Sequence, residues 1–325
     1  MTEQGQAAGK SQVIRMDAAF DEIASASAQI ERIATGFSFV EGPVWVRDGG
    51  YLLFSDIPNN VINKWSPDGK VSVFLERSGF DGEIPHPVPK GLTMENLLEY
   101  IIGSNGITLD REGRVIFCEH GNRRVERLEK DGRRTVIADR YEGKRLNSPN
   151  DVVTKSDGAI YFSDPPFGFP KLDEDPRKEL PFNGVYRVKD GKIQLLTKDL
   201  KGPNGLAFSP DEKHLYIDDS FARTYMRYEV KPDGSIANGQ LIFDLSKSPD
   251  PGVPDGIKID QKGNVYACGP GGIWILSPAG KVLGRLTPPE EPANLTWGDD
   301  DGRTLYMTAW TSLYRIRLNI PGIRP

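Results

Sequence analysis

Short apolar runs that alternate with polar residues recur along the whole chain, and most are followed by a turn rich in Gly and acidic residues. Alternation with a period of two is typical of half-buried β-strands, and such turns are typical of hairpins. Six segments share one order of features: a polar residue, an apolar run, a turn and a second apolar run. These segments begin at Glu41, Asn105, Asn150, Asn204, Asp255 and Asn294.

Further apolar runs with their own Gly turns lie between these segments, for example NKWSPDGKVSVF and YRVKDGKIQLL. Each repeat therefore holds about four strands, and the repeats begin about 40 to 65 residues apart, a spacing typical of propeller blades. We predict an all-β fold, a six-bladed β-propeller with four antiparallel strands per blade. A strand from AQIERIATG is expected to join the last strand, SLYRIRLN, and close the ring.

Two stretches do not follow the repeat. We predict that residues 1–30 form a tail and a short arm, ahead of a single propeller domain at residues 31–325. Residues 77–104 form an insertion between blades, and the pattern TMENLLEYI within it predicts a short helix.

The charge and hydropathy of the chain argue against several classes of partner. The net charge is −5 and the Lys and Arg residues are scattered, so we expect neither nucleic acid nor an anionic membrane as a partner. The sequence has no apolar run of about 18 residues, and MTEQGQAAGKSQ lacks the basic and apolar pattern of a secretory signal. We therefore expect a cytoplasmic protein, and the sequence leaves its oligomeric state open.

The two cysteines do not suggest a disulfide or a zinc site. Cys118 and Cys268 each end an apolar run, VIFC and VYAC. The predicted propeller places them in blades 2 and 5, on opposite sides of the ring, whereas a disulfide needs Cα atoms within about 7 Å. We expect two buried free thiols.

The polar residue that opens each segment precedes the innermost strand of its blade, so the six should meet at one mouth of the central channel. A buried ring with the carboxylates of Glu41 and Asp255 and several amide oxygens is costly without a cation. Hard oxygen ligands favour Ca²⁺, with Mg²⁺ or Mn²⁺ as alternatives. The other interpretation is that these residues only cap the inner strands around a water-filled channel.

Five motifs carry a resemblance to a known family: EGPVW, NSPNDVV, YFSDPPFG, GPNGLAFSPD and PDGIKID. In their order and spacing, from about Gly36 to Leu318, the chain resembles the gluconolactonase and regucalcin (senescence marker protein) family of six-bladed propeller lactonases. The resemblance implies a metal-dependent hydrolase that opens a sugar lactone, such as glucono-1,5-lactone, to the aldonic acid.

The resemblance also implies one divalent cation on the central axis, held by Glu41, Asn204 and Asp255. Asn150 is then either a fourth metal ligand or a substrate contact. Ca²⁺ is the usual ion of the family, with Mn²⁺, Zn²⁺, Fe²⁺ or Mg²⁺ as alternatives.

Lactone hydrolysis needs a base, because Ca²⁺ lowers the pKa of water much less than Zn²⁺ does. Asp255 is our candidate for this catalytic base, by position and by resemblance. Asp164 and Asp219 are reserve candidates, and either could instead cap a loop.

Substrate binding is assigned to Asn105, Asn150 and His120, which surround the predicted mouth. His120 could also protonate the leaving alkoxide. The neighbouring Arg123 and Arg124 could anchor an anionic substrate group, or pair with surface acids. Trp310 and Phe167 are candidate walls for a sugar ring, or simple packing residues.

Two rival functions remain at the level of sequence. The same scaffold could hydrolyse another lactone, an aryl ester or an organophosphate. The chain could also be a calcium-binding propeller without enzymatic activity, since many propellers are interaction platforms.

Overall fold

The computed structural model describes residues 10–84, 87–89 and 91–325. Within these residues, six antiparallel sheets of four or five strands form the blades of a propeller. Blade 1 contains Val40–Val46, Tyr51–Asp56, Val61–Trp65 and Val71–Glu76. Blade 2 contains Ser104–Leu109, Val115–Glu119, Arg124–Leu128 and Arg134–Ala138. Blade 3 contains Val152–Thr154, Ile160–Asp164, Gly184–Lys189 and Lys192–Thr197.

The last three blades include two strands from the N-terminal region. Blade 4 contains Pro203–Phe208, His214–Asp219, Thr224–Val230 and Ile236–Asp244. Blade 5 contains Ile257–Ile259, Val265–Gly269, Gly272–Leu276 and Val282–Thr287, with Gln12–Arg15 as a fifth, outer strand. Blade 6 contains Pro292–Gly298, Thr304–Ala309 and Ser312–Arg317, with Glu31–Thr35 as its outer strand.

The ring is closed as the sequence predicts. Glu31–Thr35, from the stretch AQIERIATG, pairs antiparallel with Ser312–Arg317. The innermost strands also contact one another around the axis, and Pro292–Gly298 of blade 6 contacts Val40–Val46 of blade 1. The pairing supplies the outer strand of blade 6, so the two ends of the ring are held together within one sheet.

Apolar side chains on both faces of each blade explain why this sequence forms a propeller. Val44 and Leu53 of blade 1 pack against Ile107 and Phe117 of blade 2, and all four are buried. Burial of one such side chain contributes about 1.5–3 kcal/mol. The outer strands lose this cover, and Val71–Glu76 is largely exposed. Burial therefore decreases from the axis outward.

Helices are few and short. The predicted insertion helix is a single turn, Met94–Leu97, where the backbone N–H of Thr93 donates to the side chain of Asn96. Leu97 and Ile101 pack on Ile57 of a blade 1 loop, so the insertion lies on the rim. The remaining elements are the 3₁₀ turns Ala18–Glu22, Arg47–Gly49 and Leu172–Glu174 and the small hairpin Arg140–Tyr141 with Lys144–Arg145.

Residues 1–9 of the predicted tail lie outside the described residues, while residues 10–30 contribute the extra strand of blade 5 and the turn Ala18–Glu22. Phe20 of this turn is fully buried against blade 5. Cys118 and Cys268 are buried and free, as predicted. Within the described residues, no helix is both long and apolar enough to cross a membrane.

Candidate active site on the propeller axis

The six polar residues that open the inner strands surround the axis at one mouth of the channel. The side chain of Asn294 donates to Glu41 Oε2 at 3.0 Å, which joins blades 6 and 1. Asp255 is a side-chain hydrogen-bonding neighbour of both Glu41 and Asn204. Blades 2 and 3 meet through the backbone, where Gly106 N–H donates to the carbonyl oxygen of Asn150 at 2.7 Å.

Glycine follows most of these residues because adjacent blades approach there too closely for a side chain. A Cβ on Gly42 would lie 1.9 Å from the backbone oxygen of Asn105, and a Cβ on Gly205 would lie 2.2 Å from that of Asp255. The Asn-Gly pairs of the sequence are therefore sites of blade-to-blade contact around the axis. The same close approach is found for Gly106 and Gly256.

Acidic residues at the end of the second strand of a blade hold the backbone that leads into the inner strand. Asp219 accepts hydrogen bonds from the backbone N–H groups of Lys201 and Gly202, at 2.7 and 3.0 Å. Asp164 accepts one from Asn147 N–H at 2.8 Å. Asp56 holds Ser38 and Phe39 in the same way. Asp164 and Asp219 are thus loop caps, one of the two roles that the sequence left open.

Three oxygen atoms of the ring lack a hydrogen-bond partner although they are buried: Glu41 Oε1, Asn204 Oδ1 and Asn105 Oδ1. In each case the other polar atom of the same side chain makes a polar contact within the protein. Asn204 Nδ2 donates to Ser220 Oγ at 3.0 Å, and Ser220 in turn donates to the carbonyl oxygen of Pro254 at 2.7 Å. Glu41 Oε2 accepts from Asn294 and from Gly42 N–H. A buried polar atom without a partner costs about 1–3 kcal/mol, and the grouping of these oxygens around the axis suits them to bind a ligand.

The carboxylates of the site are strongly perturbed by their surroundings. Burial raises the pKa of Glu41 to about 7, and the nearby charge of Asp151 adds to the shift. Burial, followed by the charges of Glu41 and Asp218, raises the pKa of Asp255 well above its ordinary value. Asp255 is the more accessible of the pair, since its surface is partly exposed while Glu41 is buried. Concentrated negative charge of this kind favours a bound cation.

The donor set fits a hard divalent cation. Glu41, Asn204 and Asp255 present carboxylate and amide oxygens, which suit Ca²⁺ and related ions. In the part of the chain that the structure describes, no three His, Cys, Asp or Glu side chains converge as a metal-binding group. A metal site here must therefore draw on amide oxygens in addition to the two carboxylates.

His120 lies beneath the rim, buried, with Nε2 at 3.5 Å from Nδ2 of Asn105. Burial lowers the pKa of His120 to about 3, so its imidazole is neutral at physiological pH. A neutral imidazole does not hold the extra proton that an acid for the leaving alkoxide needs. The contact with Asn105 instead favours a role in orienting that amide or in binding a substrate hydroxyl.

The two arginines beside His120 are engaged by the protein. Arg123 is buried and donates to the carbonyl oxygens of Leu146 and Asn147 at 2.7 and 3.2 Å. Arg124 forms ion pairs with Glu119 at 2.7 Å and with Glu126 at 3.0 Å. Neither guanidinium is left to anchor an anionic substrate group, so the structure supports the pairing interpretation.

The aromatic candidates both occur in ring pairs. Trp310 packs edge-on against Phe39, with ring centroids 5.2 Å apart, and also contacts the insertion cluster around Leu97. Phe167 packs edge-on against Phe221 at 5.4 Å. Both pairs lie on the rim loops, where Phe221 is 41% exposed.

A cavity of about 490 Å³ lies at the opposite mouth of the channel. It is lined by the far ends of the inner strands, including Leu109, Phe208 and Ile259, and by the C-terminal residues 323–325. None of the six ring residues lines it. The candidate site at the ring is therefore separate from this cavity. Lys258 lies between them, because it lines the cavity and contacts Asn294 of the ring.

Comparisons with known proteins agree with this geometry. The family model described as SMP-30/Gluconolactonase/LRE-like region matches residues 39–311. The gluconolactonase of Zymomonas mobilis subsp. mobilis is 38% identical over 93% of this chain and 85% of its own length. The pentonolactonase of Haloferax volcanii is 26% identical over 82% of this chain and 80% of its own length.

A comparison with solved structures also finds a gluconolactonase. The Xanthomonas campestris protein XC5397, a gluconolactonase, superimposes with a TM-score of 0.78 at 29% identity. The superposition covers 97% of this chain and 99% of that one. The ring, the six blades and the extent of the match lead to one conclusion: the chain belongs to the SMP-30/gluconolactonase/LRE-like family.

Proposed function

We propose that this lactone hydrolase opens a sugar lactone, such as glucono-1,5-lactone, to the aldonic acid with the help of a divalent cation on the propeller axis. The observation that carries the proposal is the set of unpartnered oxygens, Glu41 Oε1 and Asn204 Oδ1, beside the carboxylate of Asp255. Family membership and the gluconolactonase and pentonolactonase relatives support the reaction class.

Glu41, Asn204 and Asp255 hold the cation in this proposal, with Asn150 as a fourth ligand or as a substrate contact. Ca²⁺ fits the oxygen donors best, and Mn²⁺, Zn²⁺, Fe²⁺ or Mg²⁺ are alternatives to be tested. When bound, the cation would polarise the lactone carbonyl and stabilise the negative charge that develops on its oxygen.

Asp255 acts as the general base. Its carboxylate removes a proton from a water molecule while the water oxygen bonds to the lactone carbonyl carbon. The ring C–O bond then breaks, the released alkoxide takes up the proton that Asp255 removed from water, and the product is a hydroxy acid. The negative charges of Glu41 and Asp218 strengthen Asp255 as a base.

Asn105, Asn150 and His120 bind the substrate. Amide groups and a neutral imidazole donate and accept hydrogen bonds without adding charge, which suits the hydroxyl groups of a sugar lactone. The engagement of Arg123 and Arg124 within the protein favours an uncharged substrate over a phosphorylated one.

A substrate panel tests this proposal against the rival hydrolases. The protein is assayed by proton release on glucono-1,5-lactone, a pentonolactone, an aryl ester and an organophosphate triester, each corrected for spontaneous hydrolysis. The proposal predicts the highest kcat/KM on the sugar lactones. A preference of tenfold or more for the aryl ester or the triester would contradict the proposed substrate class, and no hydrolysis of any substrate would favour a binding propeller.

A further inference from the structure

Lys258 places a positive charge inside the central channel, just below the ring. It belongs to the inner strand Ile257–Ile259 of blade 5 and interrupts an otherwise apolar run. Its ammonium nitrogen lies 3.0 Å from the carbonyl oxygen of Ile257, 3.3 Å from Asn294 Oδ1 and 3.9 Å from Asp151 Oδ2. These contacts connect blade 5 with blades 6 and 3 across the axis.

The carboxylate nearest to this ammonium group is that of Asp151, which belongs to a set of four acidic side chains that interact across the axis. Asp151 interacts electrostatically with Glu41 and Asp218, and Asp255 interacts with both Glu41 and Asp218. Glu41, Asp151 and Asp218 are buried. A fixed positive charge from the chain lowers the cost of burying the ionised carboxylates among them.

Lys258 also controls the orientation of Asn294. The amide oxygen of Asn294 accepts from Lys258 Nζ and from Leu295 N–H at 2.8 Å. With its oxygen held there, the amino group of Asn294 faces Glu41 and donates to Oε2. Among the described residues, Glu41 Oε1 has no hydrogen-bond donor.

We propose that Lys258 is a positioning residue of the axial site: a built-in counter-cation that compensates the clustered carboxylates and holds Asn294 in the orientation that fixes Glu41. The proposal concerns the site of the proposed function. Its decisive test requires neither metal nor substrate, so it can fail or succeed independently of lactone hydrolysis.

The test is a double-mutant cycle in thermal unfolding, measured on full-length protein in a chelating buffer at neutral pH. Lys258→Met keeps the aliphatic stem and removes the charge. Asp151→Asn removes the nearest negative charge and keeps one of the two oxygens that accept from the backbone N–H groups of Val152 and Leu206. Lys192→Met, at an exposed position of an outer strand, is the matched control. We expect Lys258→Met to lower Tm by about 5 °C or more, and the control to leave it nearly unchanged.

The double variant distinguishes charge compensation from packing. If Lys258 compensates the carboxylates, the Asp151→Asn, Lys258→Met double variant melts above Lys258→Met alone, because the uncompensated charge is gone. Additive losses in Tm would overturn the proposal, since they would show that Lys258 acts only through its packing.

A calcium titration adds a readout that packing alone would not change. Because Ca²⁺ supplies positive charge to the same cluster, saturating Ca²⁺ should raise the Tm of Lys258→Met by more degrees than it raises the Tm of wild type. An increase smaller than that of wild type would contradict the role of counter-cation.

Discussion

The channel and the rim of blade 2 use the same kinds of polar side chain in opposite ways. On the rim, Arg123 is enclosed by backbone carbonyl groups and Arg124 is paired with Glu119. In the channel, Glu41 and Asn204 each keep one buried oxygen without a hydrogen-bond partner. The rim arginines are held by the protein itself, whereas the two channel oxygens lie beside the carboxylate of Asp255 on the axis, an arrangement suited to a cation.

The difference matters because the sequence left the role of the rim arginines open. Arg123 and Arg124 of the rim motif EHGNRR could anchor an anionic substrate group or pair with surface acids. Only the hydrogen bonds separate them, because a guanidinium that is already saturated contributes little to substrate affinity. The experiments below test this separation.

The largest effect is expected at Asp255. Asp255→Asn should reduce kcat on glucono-1,5-lactone by about 10²–10⁴-fold, because the amide cannot remove a proton from water. Tm and circular dichroism should show an intact fold. Asp48→Asn, in an exposed turn of blade 1, is the control and should retain full activity. Near wild-type activity in Asp255→Asn would remove this residue as the base.

The next effect concerns metal binding at Glu41. Glu41→Gln should weaken Ca²⁺ binding by about 10–100-fold, because one anionic ligand becomes a neutral amide. Isothermal calorimetry measures the affinity and the stoichiometry, with Glu76→Gln on an exposed outer strand as the control. If the Ca²⁺ affinity of Glu41→Gln equals that of wild type, Glu41 is not a ligand of the cation.

On the rim, substitution should affect stability and leave substrate affinity alone. Arg123→Met removes the donor to buried carbonyl oxygens and should lower the free energy of unfolding by about 1–3 kcal/mol. KM for glucono-1,5-lactone should stay within about twofold of wild type, since Arg123 has no part in substrate binding. A tenfold rise in KM without loss of stability would mean that the rim arginine binds substrate after all.

The last effect is a change in the pH dependence of stability. Burial raises the pKa of Asp164 to about 7, and its Oδ1 lacks a partner, so the folded state holds a proton that the unfolded state releases near pH 4. Stability from this group is complete below about pH 4 and is lost as the pH rises toward 7, at up to about 1.4 kcal/mol per pH unit.

Asp164→Asn should therefore flatten the decline of unfolding free energy between about pH 4 and pH 7. Urea unfolding at several pH values measures the slope for wild type and for the variant. The same slope in both proteins would show that the Asp164 carboxyl is ionised in the folded state.

Much of the fold could be predicted because each repeat consists of alternating apolar runs. All six inner strands and the closing strand Glu31–Thr35 follow from that pattern. The fifth strand of blade 5, Gln12–Arg15, was not predicted. Its four residues bury little apolar surface, and its pairing with Val282–Thr287 bridges a gap of more than 250 positions in sequence.

The positions of the ring residues were predictable, but their individual hydrogen bonds were not. The sequence placed Glu41, Asn204 and Asp255 at the start of inner strands, and the blade geometry brings them together. It could not show that His120 is buried and neutral or that Arg123 is saturated, because both depend on contacts between separate loops. The sequence shows Lys258 as a single charged residue within the apolar strand IKI, but this feature was not recognised as part of the site.

The central claim is that the unpartnered oxygens of the channel hold a catalytic cation. Its most direct test is proton release from glucono-1,5-lactone near neutral pH, measured against the spontaneous rate. Metal-stripped protein is compared with samples to which Ca²⁺, Mn²⁺, Zn²⁺, Fe²⁺ or Mg²⁺ has been returned. The account predicts that stripping abolishes the acceleration and that at least one ion restores it, with Ca²⁺ expected first. Full activity in the stripped protein, verified as metal-free, would contradict the account.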